Sequence, residues 1–267
     1  MKKLIRGLQE FQEHRFDEYR GLFEQLAHGQ KPKVLFITCS DSRIVPNLLT
    51  QTEPGELFVV RNAGNIVPPY GAANGGEGAT IEYAVHALGI NQVVICGHSH
   101  CGAMKGLLKL NQLRESMPLV CQWLEHAAGT LRVLQDSYAH LEGEELIETA
   151  VAENILTQID NLKTYPVIHS RLHQGKMKIH GWIYEFETGN VLSYDRSAHA
   201  FVPPSTQLVK DDDEGVILPG QYVNTSAPPV DAAVPSPVSA ERSGSSGAPW
   251  LSQEQAKRIY QGNGLRR

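Results

Sequence analysis

Two short apolar runs, Val34-Leu-Phe-Ile37 and Val93-Val-Ile-Cys96, each lead directly into residues that bind metals. The first precedes Cys39-Ser-Asp41-Ser-Arg43 and the second precedes His98-Ser-His-Cys101. Continuous apolar runs of this length read as buried parallel strands. In an open α/β sheet, ligands bind just beyond the carboxyl ends of the strands, so two adjacent strands can deliver both segments to one point. The donors that would meet there are two thiols and an imidazole, a set that Zn²⁺ favours.

A purely structural zinc site closes with four Cys or His ligands. Three are evident here, Cys39, His98 and Cys101, which leaves a fourth position for water or for the Asp41 carboxylate. That open position favours catalysis over scaffolding. Arg43 is placed to clamp Asp41 bidentately, holding it ionised and turned away from the metal. An ionised Asp41 only accepts hydrogen bonds. Released by Arg43, it would swing in as the fourth ligand and shut the site. The competing structural reading is a loop capped by an Asp–Arg pair.

With 267 residues and a net charge of −5, the chain gives no reason to expect nucleic acid or an anionic membrane as partner. Its apolar runs are too short to span a bilayer. The start, Met-Lys-Lys-Leu-Ile-Arg, continues into Gln, Glu and Asp, so an export signal is not expected. Four cysteines are too few for a disulfide framework and fit a reducing cytoplasm. Cys96 and Cys121 sit in apolar surroundings and are expected to be inert core residues.

Helical spacing covers residues 3–28 and stops at Gly29. Strands are expected at 33–38, 57–60 and 92–96, with a helix at 79–88. The glycine-rich stretch 61–78 is expected to fold over a pocket. Helices follow at about 102–110, 118–139, 143–163 and from Pro166 to about 173, then strands at 178–187 and 191–194 joined through Thr188-Gly-Asn. The expected fold is α/β: a mostly parallel central β-sheet of about four strands flanked by helices, with 178–194 extending one edge. The expected domains are a catalytic unit at 1–200, a Pro/Ala/Ser-rich disordered linker at 201–248 and a short C-terminal helix at 249–267. Ser252-Gln-Glu-Gln255 forms a capping box, and Ile259 and Tyr260 extend an apolar face suited to docking. The competing reading of that tail is a frayed end.

Cys39-Ser-Asp-Ser-Arg43 together with Gly97-His98-Ser-His-Cys101-Gly102 resembles the β-class carbonic anhydrases, the similarity running from about Gln30 to His180. The resemblance implies one Zn²⁺ per subunit on Cys39, His98 and Cys101, with Asp41 and Arg43 as the catalytic dyad. It implies a substrate pocket for CO₂ and bicarbonate that includes Gln30, Phe58, Tyr83 and the Gly102 amide. An apolar slot at Phe58 suits CO₂, and the donors Gln30 and Gly102 suit bicarbonate, although core packing is the default reading of Phe58 and Tyr83 alone. The implied reaction is reversible CO₂ hydration by zinc-bound hydroxide. Two thiolates and a neutral imidazole cancel the charge of Zn²⁺. Zinc-bound water should then be less acidic than the value of about 7 familiar from three-histidine carbonic anhydrases.

Another branch of that family has a Trp–Arg–Tyr bicarbonate site; Phe36 stands where its tryptophan would fall, so that regulation is not expected. The helical insert and the tail near Gln255-Ala-Lys-Arg-Ile-Tyr260 resemble the cyanobacterial carboxysomal subgroup. This implies residence in the carboxysome, a bacterial microcompartment for photosynthetic CO₂ fixation. It also implies an N-terminal helix packed on a partner subunit, homodimers assembling to a higher oligomer such as a hexamer, and a scaffold protein with a γ-carbonic-anhydrase-like domain as partner of the tail. His100 is a candidate proton shuttle, with an ordinary exposed histidine as the rival reading. Two alternative functions remain: a carbonyl sulfide or carbon disulfide hydrolase on the same site, and a non-catalytic adaptor whose zinc only holds the fold.

Overall fold

The computed structural model describes residues 1–72 and 75–204. The expected docking helix at 249–267, and the expected linker beyond residue 204, lie outside the described residues.

The chain opens with helices α1 (Lys2–Glu10) and α2 (Phe16–Leu26), joined through one widened turn at Phe11–Arg15. Leu4, Ile5, Leu8 and Phe11 remain exposed along this arm. Strand β1 (Val34–Cys39) follows, then α3 (Pro46–Thr50), with proline at its first turn, and β2 (Leu57–Asn62). Helix α4 (Gly76–Glu82) runs into a second widened turn, Tyr83–Ala87, before β3 (Gln92–His98).

Helices α5 (Gly102–Leu107), α6 (Leu110–Ser116), α7 (Pro118–Leu124) and α8 (Ala128–Ser137) follow. The expected helix at 118–139 is therefore two helices, separated by a tight turn at Glu125–Ala127. Long helix α9 (Gly143–Lys163) matches its expected span, and α10 (Pro166–His173) follows. Strands β4 (Lys178–Tyr184), β5 (Val191–Asp195) and β6 (Ala200–Val202) complete the described part.

The six strands lie in the order β2-β1-β3-β4-β5-β6. β2, β1, β3 and β4 are parallel, and β5 and β6 add antiparallel strands at one edge. β6 was not expected; it is only three residues long, too short for alternation to show. β4 ends at Tyr184 rather than 187 because the Phe186 amide donates to the Ser99 hydroxyl (3.0 Å), not to a neighbouring strand.

Leu35, Ile37, Val93 and Ile95 are fully buried in the centre of the sheet, as strands covered on both faces require. α9 packs closely over β3 and β4 because glycines face it. A Cβ at Gly97 would sit 3.0 Å from Ile155 and Val151, and one at Gly181 would sit 2.7 Å from Ile155. The parallel strands are in register, Thr38 beside Cys96, so the ends of β1 and β3 emerge side by side.

Candidate metal centre

Cys39 is the last residue of β1 and His98 the last of β3, while Cys101 caps the N-terminus of α5. Their ligand atoms all lie within 4.8 Å of one another, and all three residues are buried. The loop between His98 and Cys101 turns sharply at His100, whose φ is +53°.

His98 is fully buried, and its Nδ1 lies 2.8 Å from the carbonyl of Ser99. A carbonyl only accepts, so Nδ1 carries the proton and Nε2 presents a lone pair. That Nε2 is buried with no hydrogen-bond partner. An orphaned imidazole nitrogen beside two thiols is costly unless something outside the chain fills it. The donor set and the orphaned nitrogen fit a zinc ion.

The thiols are already polarised. Cys39 is held well below the ordinary thiol range, chiefly because Cys101 donates to it, with the Gly64 amide adding to the effect. Cys101 is raised in turn by the hydrogen bond to Cys39 and by burial. The Gly64 amide donates to Cys39 Sγ at 3.4 Å. Burial pushes the Cys96 thiol up to about 12, so it stays protonated. Cys121 is buried and free, its thiol facing the Leu110 carbonyl.

Asp41 and Arg43 form a bidentate pair. Arg43 Nε donates to Oδ1 at 2.9 Å and Nη2 to Oδ2 at 2.8 Å, while the Arg43 amide donates to Oδ1 at 3.0 Å. These bonds drive the Asp41 carboxyl well below the usual range and keep it ionised. Asp41 Oδ2 lies 4.0 Å from His98 Nε2.

Arg61 supports the loop from beneath. Its guanidinium donates to the carbonyls of Cys39 (3.1 Å), Asp41 (2.7 Å) and Ile44 (3.0 Å). One side chain thus ties the metal-ligand end of the loop to its dyad end. An arginine at the end of a strand gives no sequence signal for that role.

A second support was also missed. Asn154, Gln158 and Asn161 sit on the core-facing side of α9 and bind the 62–70 loop. Asn154 Nδ2 donates to the Gly64 carbonyl (3.0 Å), and Gln158 Oε1 accepts from the Val67 amide (2.9 Å). Asn161 Nδ2 donates to the Val67 carbonyl (2.9 Å), and the Tyr165 hydroxyl donates to that of Pro68 (2.9 Å). The available signal was three amides at positions i, i+4 and i+7 of an otherwise apolar helix face. This ladder holds the loop that brings the Gly64 amide to Cys39. Within the same loop Asn65 is 2% exposed at φ +48°, its Nδ2 without a partner.

The residues expected to line a substrate pocket divide. Phe58 and Tyr83 come together with ring centroids 6.0 Å apart, Tyr83 half-exposed. Gly102 opens α5, and a Cβ there would meet nothing within 4 Å, so space lies beside its amide. Gln30 lines a surface groove of about 410 Å³ with Leu26, His28 and Gly55. His100 is half-buried and paired with both Glu144 and Glu187, so its ring is engaged rather than free.

A carbonic anhydrase family profile matches residues 34–191. The chain is 56% identical to a carbonic anhydrase of Synechocystis sp., covering 98% of this chain and 100% of that one. It is 54% identical to a carbonic anhydrase of Synechococcus elongatus, covering 98% and 99% respectively. The solved β-carbonic anhydrase CcaA superposes with a TM-score of 0.76 at 66% identity, over 76% of this chain and 99% of that one. A sulfur–nitrogen–sulfur triad at the ends of neighbouring parallel strands therefore stands in a known setting: the chain belongs to the β-class carbonic anhydrase family.

Proposed function

We propose that this chain hydrates CO₂ reversibly to bicarbonate and a proton, with Cys39, His98 and Cys101 holding one zinc per subunit and Asp41–Arg43 serving as the catalytic dyad. The carrying observation is the convergence of two thiols and the orphaned His98 Nε2 within 4.8 Å, beside an ionised carboxylate. Zinc held there would supply a Lewis acid that makes water nucleophilic at mildly alkaline pH.

The chain's own residues do the rest. The Ser99 carbonyl fixes the His98 tautomer, so that Nε2 faces the metal. Asp41, kept ionised by Arg43, accepts a hydrogen bond from the attacking water and orients its lone pair towards CO₂. Phe58 and Tyr83 offer an apolar wall for CO₂, and Gln30 and the Gly102 amide offer donors to bicarbonate. The proton leaves to solvent or buffer.

The similarity to whole cyanobacterial carbonic anhydrases, end to end, supports a place in the carboxysome, supplying CO₂ to the carbon-fixing enzyme. It also supports docking of the 249–267 segment on a scaffold protein. The exposed Leu4, Ile5, Leu8 and Phe11 support burial of the N-terminal helices against a second copy, giving dimers that assemble further. Stopped-flow CO₂ hydration across pH, with zinc measured on the same sample, tests the reading. The expected result is one zinc per subunit and activity rising through mildly alkaline pH. Stoichiometric zinc without hydration at any pH would replace it with the adaptor reading.

A further inference from the structure

Phe186 touches both halves of the site, His98 and Arg43. The chain leaves β4 after Tyr184, and the Phe186 amide is pinned to the Ser99 hydroxyl. Its ring centroid lies 4.9 Å from that of His98 and 4.4 Å from Arg43 Cζ. Tyr184 meets the ring edge-on at 5.3 Å and 89°. The ring is therefore fixed from several sides.

The Arg43 side chain is 52% exposed and long, so it loses considerable freedom when held in one rotamer. A guanidinium can stack its plane on an aromatic face while its edge still donates to a carboxylate. Arg43 does both, over Phe186 and onto Asp41. Asp41 Oδ2 lies 4.0 Å from His98 Nε2, so only a small movement separates the Arg43-bound carboxylate from one bound to the metal.

We propose that Phe186 is a positioning residue: its ring holds the Arg43 guanidinium on Asp41 and so keeps the carboxylate out of the fourth ligand position. The inference rests on the metal reading above and adds the element that sets the balance of the dyad. Leucine at 186 would keep the apolar wall but offer no quadrupole to the cation.

The test uses the cobalt-substituted full chain, titrated with azide and followed by its visible spectrum. Azide takes the fourth position only when Asp41 is off the metal. F186L should weaken azide binding about two- to fivefold, the scale of a partly exposed cation–π contact. F186W should bind as wild type does. In the D41N background, F186L should change nothing, because no carboxylate competes. Equal affinity in F186L and wild type overturns the proposal, as does the same loss persisting in D41N. Should F186L fold poorly by circular dichroism, F186M carries the same expectation. A cobalt D41N enzyme that binds no azide at all overturns the metal reading and this latch with it, whereas equal affinities overturn the latch alone.

Discussion

Asp41 Oδ2 rests 4.0 Å from His98 Nε2 while both its oxygens are bonded to Arg43. The carboxylate is thus beside the metal-facing nitrogen yet oriented by a cation from the other side. On the proposed reading, this arrangement separates binding the metal from using it.

Removing the carboxylate should therefore leave metal binding intact, whereas removing a metal-binding thiol should not. Cys39→Ala removes a thiolate and should lose both zinc and activity. Asp41→Asn keeps the three donors and should hold one zinc per subunit while losing most hydration. An amide bonds Arg43 less strongly and can donate as well as accept, so the oriented lone pair is lost. Elemental analysis with stopped-flow rates on the same samples checks both. Full turnover in Asp41→Asn would remove the dyad from the mechanism.

Much of this site was legible in the sequence because β1 and β3 are buried on both faces, leaving uninterrupted apolar runs before Cys39 and His98. Strand pairing then placed the ligands together without further coding. What stayed hidden acts through the backbone. Arg61 binds three loop carbonyls, and the α9 amides bind the loop of Gly64. Neither role follows from residue type, since any polar side chain of the right reach could satisfy a carbonyl. Phe186 was hidden for a related reason: the sequence reads as strand through 187, whereas the Ser99 hydroxyl draws the chain out of the sheet after Tyr184.

The α9 ladder makes its own prediction. Asn154 donates to the Gly64 carbonyl and accepts from Gln158 Nε2, all in buried surroundings. Asn154→Leu fits by size but strands both partners, which should cost about 2–3 kcal/mol. Chemical denaturation at fixed subunit concentration measures it. Because the Gly64 amide also reaches Cys39 Sγ, the variant should release zinc to a chelator faster than wild type. Unchanged stability and unchanged release would reduce the ladder to incidental contacts.

The pairing of His100 with Glu187 and Glu144 predicts a pH window for stability. His100 is raised, first by Glu187 and then by Glu144; Glu187 is lowered by its own amide and by His100. A raised histidine contributes fully below its unfolded value, about 6.5, and loses that contribution as pH climbs through the folded value. A lowered glutamate contributes above its unfolded value, about 4.3, and loses it as pH falls through the folded one. The stability difference between wild type and Glu187→Gln should therefore be greatest between those pH values and shrink on the alkaline side. Urea midpoints at pH 5.5 and 9 read it out, and an equal difference at both would reject the pairing.

The last expectation concerns the segment from Pro249 to Arg267. The metal triad, the dyad and both supports of the loop fall between Cys39 and Phe186, so none of the groups assigned to chemistry lies in the tail. Removing 249–267 should leave zinc content and hydration rates unchanged in purified enzyme. In cells that form carboxysomes, the same deletion should abolish co-purification with the scaffold, because Leu251, Ile259 and Tyr260 would supply the apolar face of a helix docked in a groove. A deletion that leaves co-purification intact would move the docking surface onto the catalytic unit; one that lowers the hydration rate would give the tail a part in the chemistry.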